Sequence, residues 1–299
     1  MPPLIINSEY ERELENCVFG ADCVAFVGAG MSIPPGEDWR DTVKYIASRC
    51  KVSIDQNKSL PQIIDKCIEE NEESCNQACR ELFPKHVAKL RTAIGYLLRL
   101  PFKAILTVNF DPWLHQQSSQ QQYKGCHIYP NLPLKEGLTG GIYYIHGYFD
   151  SDNKNSSIRS LVFGNASFNK AYSESILPPF LIHVFTYETV LFVGIDPTEE
   201  NLSKILKKSI SIQKELSKTS NPQGDMPKKF VLWARSDDMS KEELNRDDIK
   251  ISEIKSLAIK PVLYTKRAND YRGLEELLFS WVEKGDIINR SPPFKYGFD

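Results

Sequence analysis

The sequence lacks an excess of charge of either sign and lacks a long uninterrupted apolar run. Its 37 Lys and Arg residues nearly balance its 39 Asp and Glu residues, which leaves a formal net charge of −2. Nucleic acids and acidic membranes attract proteins through clustered positive charge, so neither is indicated as a direct partner. The most apolar segment, residues 176–194, is interrupted by Pro178, Pro179, His183 and Glu188 and does not fit a membrane span.

A secretory start is also missing. The first residues, MPPLIINSEYERELENC, contain no basic stretch followed by an apolar run, and we expect no secretory signal. The seven cysteines are then expected to be reduced thiols in the cytoplasm. A folded chain of 299 residues buries roughly 75% of its unfolded surface, so its core does not require disulfides.

Two common nucleotide-binding signatures are absent as well. No Gly-x-x-x-x-Gly-Lys-[Ser/Thr] sequence occurs, and the glycine turn at residues 28–30 is not followed by the third glycine of the dehydrogenase fingerprint. The sequence therefore does not indicate a P-loop phosphoryl-transfer enzyme or a dehydrogenase that transfers hydride.

The sequence does contain a regular alternation of apolar and helical segments. Strand-like segments cover residues 22–27, 102–108, 142–145, 160–163, 190–193, 229–234 and 260–264. Helical patterns cover residues 38–49, most of 53–100, 200–217, 241–257 and 271–283. Such alternation is typical of an α/β protein with a doubly wound parallel sheet. We predict a single domain over residues 1–299, with a helical insertion at about residues 51–100.

Three of the strand ends carry candidate functional residues. The first is the turn Gly28-Ala29-Gly30-Met31-Ser32, which closes the first strand. Glycines let a backbone approach a pyrophosphate closely, amides at a helix start can donate to it, and the serine adds a hydroxyl. Taken alone, the turn is equally well explained as a tight strand-to-helix connection.

The second strand end is Thr107-Val108-Asn109-Phe110-Asp111. Polar side chains at this position of an open α/β sheet point into the crevice that binds ligands. An Asx turn or a helix N-cap at Asp111, ahead of the following proline, is the structural alternative.

The third strand end is His146-Gly147, after the strand-like segment 142–145. An unperturbed histidine titrates near neutral pH and can act as a general base. A buried histidine with only a structural role is the alternative for a motif of this kind.

Together, these three strand ends resemble those of the sirtuin-like (silent-information-regulator) superfamily, whose members bind NAD on a Rossmann-type domain. The resemblance extends over most of the chain. Trp39 is similar to the tryptophan after the family's glycine turn, segment 161–172 to its strand and tyrosine helix, and segment 191–206 to its late nucleotide-contacting turn. The resemblance implies a Rossmann-like doubly wound parallel sheet with NAD as substrate.

The cysteines depart from the deacylase sirtuins, which carry four zinc ligands after the His-Gly motif. The last cysteine here is Cys126, which precedes His146. We therefore expect no zinc ribbon and no metal. Cys67, Cys75 and Cys79 lack the Cys-x-x-Cys spacing of a structural zinc site and are interpreted as buried small side chains.

The zinc-less branch of the superfamily is similar to the NAD-hydrolysing effectors of bacterial antiphage defence. The resemblance implies an NAD+ glycohydrolase that an activating protein partner in trans, or homo-oligomerisation, switches on. It also implies roles for three residues. Asn109 positions the ribose or the attacking water, and Asp111 binds the carboxamide or stabilises developing positive charge. His146 is the general base toward water or a ribose hydroxyl.

The same resemblance implies a set of residues that bind the pyrophosphate and adenosine end of NAD, namely Gly28, Ala29, Gly30, Ser32, Gly194 and Asp196. The turn after Gly194 departs from the zinc-less relatives, which tend to have a serine and a later aspartate. Asp196 is the candidate acceptor for a ribose hydroxyl in this chain.

Two alternative functions remain open at this point. One is a non-catalytic NAD- or ADP-ribose-binding sensor or assembly subunit. The other is an NAD-dependent protein deacylase or ADP-ribosyltransferase, which the missing zinc cysteines disfavour.

Overall fold

Seven parallel strands form the central sheet of the protein. The structure is a computed structural model that describes residues 8–32, 39–84, 92–118, 123, 125–133, 137–138, 140–219, 226–266 and 272–290. The strands are β1 Cys23–Val27, β2 Ala104–Thr107, β3 Cys126–Ile128, β4 Ile142–Tyr144, β5 Thr189–Val193, β6 Lys229–Ser236 and β7 Ile259–Lys266. They lie in the order β3-β4-β2-β1-β5-β6-β7, and every neighbouring pair is parallel.

Ten helices connect and cover the strands within the described residues. They are α1 Ser8–Phe19, α2 Trp39–Arg49, α3 Leu60–Leu82, α4 Thr92–Arg99, α5 Trp113–Gln117, α6 Asn165–Ser173, α7 Leu177–Tyr187, α8 Glu200–Thr219, α9 Lys241–Ser256 and α10 Arg272–Arg290. The predicted Rossmann-like α/β fold with a doubly wound parallel sheet is confirmed.

The sheet divides the core into two layers. Successive residues of a strand point to opposite faces, so Ala25 packs with α1, α4 and α10 on one face, and Phe26 packs with α7 and α8 on the other. Every residue of β1 and β2 is buried, as expected for strands covered on both faces.

A third, smaller core lies beyond the strand ends. Apolar side chains of α2 and α3, among them Ile46 and Ile64, pack against Phe110, Phe149 and Phe163. This third core covers one side of the carboxyl ends of the strands. Helix α4, by contrast, packs in the layer that contains α10. The division of residues 1–299 into one domain with an insertion at 51–100 stays a prediction.

The predicted strand at residues 160–163 is wrong. A 3-10 turn, Ile158–Ser160, is followed by extended residues with no place in the sheet. Leu161 and Phe163 enter the third core, whereas Val162 enters a main layer, so both sides of the segment are buried without strand partners. The amide of Val162 donates to the carbonyl oxygen of His146 at 2.8 Å, which ties the segment to the end of β4.

Strand β3 was not predicted. It is only three residues long, lies at the edge of the sheet, and is half-buried along its whole length. Its sequence therefore lacks the apolar run that marks the central strands.

If the third core and the sheet unfold as one unit, a substitution that leaves a cavity in the third core lowers the stability of the whole chain. We expect Ile64→Ala to lower the free energy of unfolding by about 2–5 kcal/mol, because it empties a fully buried site. Urea unfolding, followed by circular dichroism and by tryptophan fluorescence, is expected to show one transition for both proteins. Glu69→Ala, an exposed change on the same helix, is the control. Two separate transitions would show that α2 and α3 form an independent unit.

Candidate active site

A cavity of about 310 Å³ lies at the carboxyl ends of the strands. Strand β2 lies next to β1 on one side, and β5 lies next to β1 on the other. The order in which the strands are added therefore reverses at β1. Ligands of open α/β sheets bind in the crevice at such a change of direction. The loops after β1, β2, β4 and β5 all contribute to the wall of the cavity, with Ser32, Asn109, Asp111, His146 and Gly194 among them.

The glycine turn after β1 packs directly against Gly194 after β5. A Cβ atom on Gly28 would lie 2.6 Å from the Gly194 carbonyl oxygen, and one on Gly30 would lie 2.9 Å from the Gly194 Cα. Gly194 itself has a φ of +66°, in the left-handed region that favours glycine. The three glycines therefore allow the two loops to touch at the switch point.

Most amides of this turn are used inside the protein. Hydrogen bonds run from Gly28 N to Val193 O, from Gly30 N to Gly194 O, from Met31 N to Gly28 O and from Ser32 N to Ala29 O. Within the part of the chain that the structure describes, only the Ala29 amide of the five makes no hydrogen bond. Ala29 and Ser32 line the cavity, whereas Gly28 and Gly30 lie behind it.

Asn109 is held by its amide nitrogen. Its Nδ2 donates to the Gly28 carbonyl oxygen at 3.1 Å and to Ser32 Oγ at 2.8 Å. Because a carbonyl oxygen can only accept, this contact fixes which end of the side chain is the nitrogen. The other end, Oδ1, is buried and has no hydrogen-bond partner among the described residues. An unpartnered buried acceptor costs about 1–3 kcal/mol, so a donor that reached Oδ1 would stabilise this residue.

Asp111 lies beside Asn109 in the same wall and is 3% exposed. Burial raises the pKa of its carboxyl to about 6, although hydrogen bonds from the Ser32 side chain and from the Trp113 amide oppose this shift. The Trp113 amide donates to Asp111 Oδ1 at 3.2 Å, so the interpretation as an Asx turn ahead of α5 is confirmed. Asp111 thus both forms the Asx turn and lines the cavity.

His146 reaches the cavity from the end of β4. Its Nε2 lies 2.8 Å from the hydroxyl of Tyr172 on α6, and its ring meets Phe168 edge-on at 5.4 Å between centroids. Burial lowers the pKa of His146 to about 3, so the imidazole is neutral at physiological pH. A neutral imidazole can accept a proton, but its surroundings oppose the charge that results.

The loop after β5 places acidic groups at the same cavity. Asp196 Oδ1 accepts from the amide and the hydroxyl of Thr198, and Asp196 Oδ2 pairs with Lys250 on α9 at 2.8 Å. Glu199 also lines the cavity, and desolvation together with the negative charge of Asp196 raises the pKa of its carboxyl. Asp196 thus already has partners on both oxygens, and only Oδ2, with a single partner, retains acceptor capacity.

An aromatic wall completes the cavity, and most of it cannot be predicted from the sequence. Its members are Trp39, Phe83, Phe110, Trp113 and Phe168. Trp113 is fixed by a hydrogen bond from its Nε1 to the Pro84 carbonyl oxygen at 2.9 Å. Of these, the sequence resemblance points only to Trp39, because the others come from separate helices and loops whose aromatic residues are typical of an ordinary core.

The contact between the glycine turn and Gly194 can be tested by adding one methyl group. We expect Gly194→Ala to lower the free energy of unfolding by at least about 1–2 kcal/mol, because the residue is left-handed. The added Cβ would also lie 2.8 Å from Met31 N. Gly95→Ala in α4, where nothing lies within 4 Å of the added Cβ, is the matched control in the same urea titration. It is expected to be neutral or stabilising by roughly 0.5–1 kcal/mol. Equal stability of Gly194→Ala and the wild type would contradict the described contact.

The ionisation of Asp111 predicts a dependence of stability on pH. Its folded-state pKa is raised, so its contribution to stability is present below its unfolded pKa and is lost as the pH rises through about 6. We expect Asp111→Asn to be roughly 2–3 kcal/mol more stable than the wild type at about pH 8, with a difference near zero at about pH 4. The lowered pKa of His146 produces the opposite dependence of stability on pH, because a neutral buried histidine destabilises the fold as the pH falls. This effect is the same in the wild type and in Asp111→Asn, so it cancels in the difference. Urea titrations across this range measure the difference, and a difference that does not change with pH would contradict the burial of the carboxyl.

Comparison with known proteins identifies the family. The family model of the SIR2-like domain matches residues 103–257, more than half of the chain. The search of curated proteins found no match to the chain. The described residues contain no group of three or more His, Cys, Asp or Glu side chains that could hold a metal ion. Across the same residues, no helix is both long and apolar enough to cross a membrane. The matched segment includes Asn109, Asp111 and His146, and the chain belongs to the SIR2-like domain family.

Proposed function

We propose that the protein is an NAD+ glycohydrolase, which cleaves the bond between nicotinamide and ribose to give nicotinamide and ADP-ribose. Membership of the SIR2-like family supports a function related to NAD. The observation that carries the finer proposal is the unpartnered Oδ1 of Asn109 in a cavity that His146 also lines. An acceptor that lacks a donor can orient a water molecule or a ribose hydroxyl, and a neutral imidazole can take a proton from that water.

In the proposed reaction, the oxygen of water forms a bond to the anomeric carbon of the ribose. The bond from that carbon to nicotinamide breaks, and its electron pair passes to the pyridinium ring, which leaves as neutral nicotinamide. The proton of the water passes to His146 as general base. Asn109 Oδ1 accepts a hydrogen bond from a ribose hydroxyl or from this water, while Nδ2 stays bound to Gly28 and Ser32.

The aromatic wall and Asp111 suit the nicotinamide end of the substrate. Flat rings such as Trp39 and Phe110, whose centroids lie 5.9 Å apart, form an apolar surface for a pyridinium ring. Asp111 can bind the carboxamide with its buried carboxyl. A carboxylate here also stabilises positive charge that spreads onto the sugar as the bond breaks.

The pyrophosphate and adenosine would extend along the loops after β1 and β5. The Ala29 amide is the donor for the pyrophosphate, and Gly28 and Gly30 contribute by letting Gly194 approach. The Ser32 hydroxyl joins it only by turning its single proton away from Asp111, to which it donates in the free protein. Asp196 is the acceptor for a ribose hydroxyl at this end. Binding energy from this remote part of the substrate helps to orient the reacting sugar.

Regulation belongs to the same proposal. Resemblance to the zinc-less bacterial relatives suggests a cytoplasmic effector of antiphage defence that depletes NAD. An activating protein partner in trans, or assembly into a homo-oligomer, would then start the reaction.

One observation favours a second candidate, a non-catalytic sensor that binds NAD or ADP-ribose. The pKa of His146, lowered to about 3 by burial, makes the imidazole a weak base in the free protein. Calorimetry with ADP-ribose and with NAD distinguishes the two, because a sensor binds NAD and releases it intact. Formation of O-acetyl-ADP-ribose from NAD and an acetylated peptide would instead indicate a deacylase.

Substitutions at the two proposed catalytic residues test the glycohydrolase. We expect Asn109→Ala and His146→Ala each to slow NAD consumption by roughly 10²–10⁴-fold, since each removes a group that acts on the water or the sugar. NAD is measured in cells that co-express the chain with its genomic neighbours, which supplies a partner in trans. The controls are Asn245→Ala and His115→Ala, both at exposed positions, with folding checked by circular dichroism. Folded Asn109 and His146 variants that consume NAD at the wild-type rate would sink the proposal.

A further inference from the structure

The contact between His146 and Tyr172 has a chemical consequence for the proposed general base. One proton lies between His146 Nε2 and the Tyr172 hydroxyl oxygen, which are 2.8 Å apart. Either the imidazole donates it to the tyrosine or the tyrosine donates it to the imidazole. The other ring nitrogen, Nδ1, has no hydrogen-bond partner within the described residues.

Only one of these two arrangements leaves a base. If Tyr172 donates to Nε2, the single proton of the neutral imidazole is on Nδ1, and Nδ1 cannot take a proton from water. If Nε2–H donates to Tyr172, Nδ1 carries the free lone pair. The direction of this one hydrogen bond therefore decides whether the imidazole can act as a base from Nδ1.

Glu199 supplies a reason for one direction. It lines the same cavity as His146. Burial raises the pKa of the Tyr172 hydroxyl, and the negative charge of Glu199 adds to this shift. A negative charge attracts the hydrogen end of a hydroxyl dipole and leaves the oxygen lone pairs on the other side. Those lone pairs can then accept Nε2–H from His146.

We propose that Tyr172 is a positioning residue that keeps the proton of His146 on Nε2 and leaves Nδ1 as the base, with Glu199 setting the direction of the Tyr172 hydroxyl. This inference rests on the proposed function for its meaning in catalysis, but the tautomer itself is a property of the free protein. When Nδ1 accepts a proton from water, the imidazolium formed donates Nε2–H to Tyr172. Glu199 then offsets part of the new positive charge in a buried site.

Other charged groups also belong to this cavity. Asp111 and Asp196 line the same cavity, and Lys250 pairs with Asp196. Helix α6 packs on the His146 ring through Phe168 and Tyr172. Of these two residues, only Tyr172 has a hydroxyl, and neither carries a charge.

The test removes one hydroxyl and one charge. Tyr172→Phe keeps the ring that stacks on Phe168 at 6.1 Å and deletes only the oxygen. Its control is Tyr187→Phe, the same change at a tyrosine that is 54% exposed at the end of α7. Glu199→Gln keeps the shape of the side chain without its charge, and Glu200→Gln is the control one residue away on the exposed start of α8.

The first readout is the tautomer of His146 in the full chain, measured by nitrogen NMR of the imidazole rings, with His146→Ala used to assign the signals. We expect the wild type to carry its proton on Nε2, and Tyr172→Phe to populate both tautomers. We expect Glu199→Gln to shift the population in the same direction, by less. A wild-type His146 protonated on Nδ1, or equal populations in the wild type and Tyr172→Phe, would overturn the inference.

The second readout is catalysis under the activating conditions of the NAD assay. We expect Tyr172→Phe to lower kcat roughly 10–100-fold with KM changed by less than about threefold, because the base is affected rather than the binding of NAD. Glu199→Gln is expected to lower kcat by about 3–10-fold, and both controls to retain the wild-type value. A kcat of Tyr172→Phe equal to that of the wild type would also overturn the inference. A chain that never consumes NAD contradicts the proposed function, whereas the NMR spectra judge the tautomer without any turnover.

Discussion

The site depends on the contact between two backbones at the point where the sheet changes direction. The loop after β1 meets the loop after β5 because Gly28, Gly30 and Gly194 have no side chains in the way. This contact fixes the carbonyl oxygen of Gly28 and the hydroxyl of Ser32, and those two oxygens hold the amide nitrogen of Asn109. The orientation of Asn109 Oδ1 is therefore a consequence of glycine packing between the loops after β1 and β5. Larger residues at the turn would displace the proposed catalytic amide before they touched any ligand.

Several groups in the cavity are held in states that do not favour stability. Asn109 Oδ1 is buried without a partner, Asp111 has a raised pKa, and the imidazole of His146 is kept from taking a charge. Such arrangements persist at functional sites because the surrounding fold maintains them. Here that fold comprises the two main core layers together with the third core formed by α2 and α3. A bound substrate that donates to Asn109 would remove one of these penalties.

Much of the fold could be read from the sequence because its central strands are short apolar runs that end at glycine or polar residues. The same signal failed at residues 160–163, where Leu161 and Val162 are apolar because they enter two different cores. It also missed β3, which is half-buried at the sheet edge. In the site, the strand ends with Ser32, Asn109 and His146 were identified from sequence and lie around one cavity. The aromatic wall and the Tyr172 contact could not be found that way, because they bring together residues from distant segments.

We propose that this cavity hydrolyses NAD rather than only binding it. The most direct measurement is quantitative mass spectrometry of NAD, nicotinamide and ADP-ribose in reactions of the chain activated by its co-expressed genomic neighbours. Hydrolysis predicts that nicotinamide and free ADP-ribose each appear in an amount equal to the NAD lost. NAD that is bound but recovered intact from the activated complex would contradict the account, and so would ADP-ribose found attached to protein.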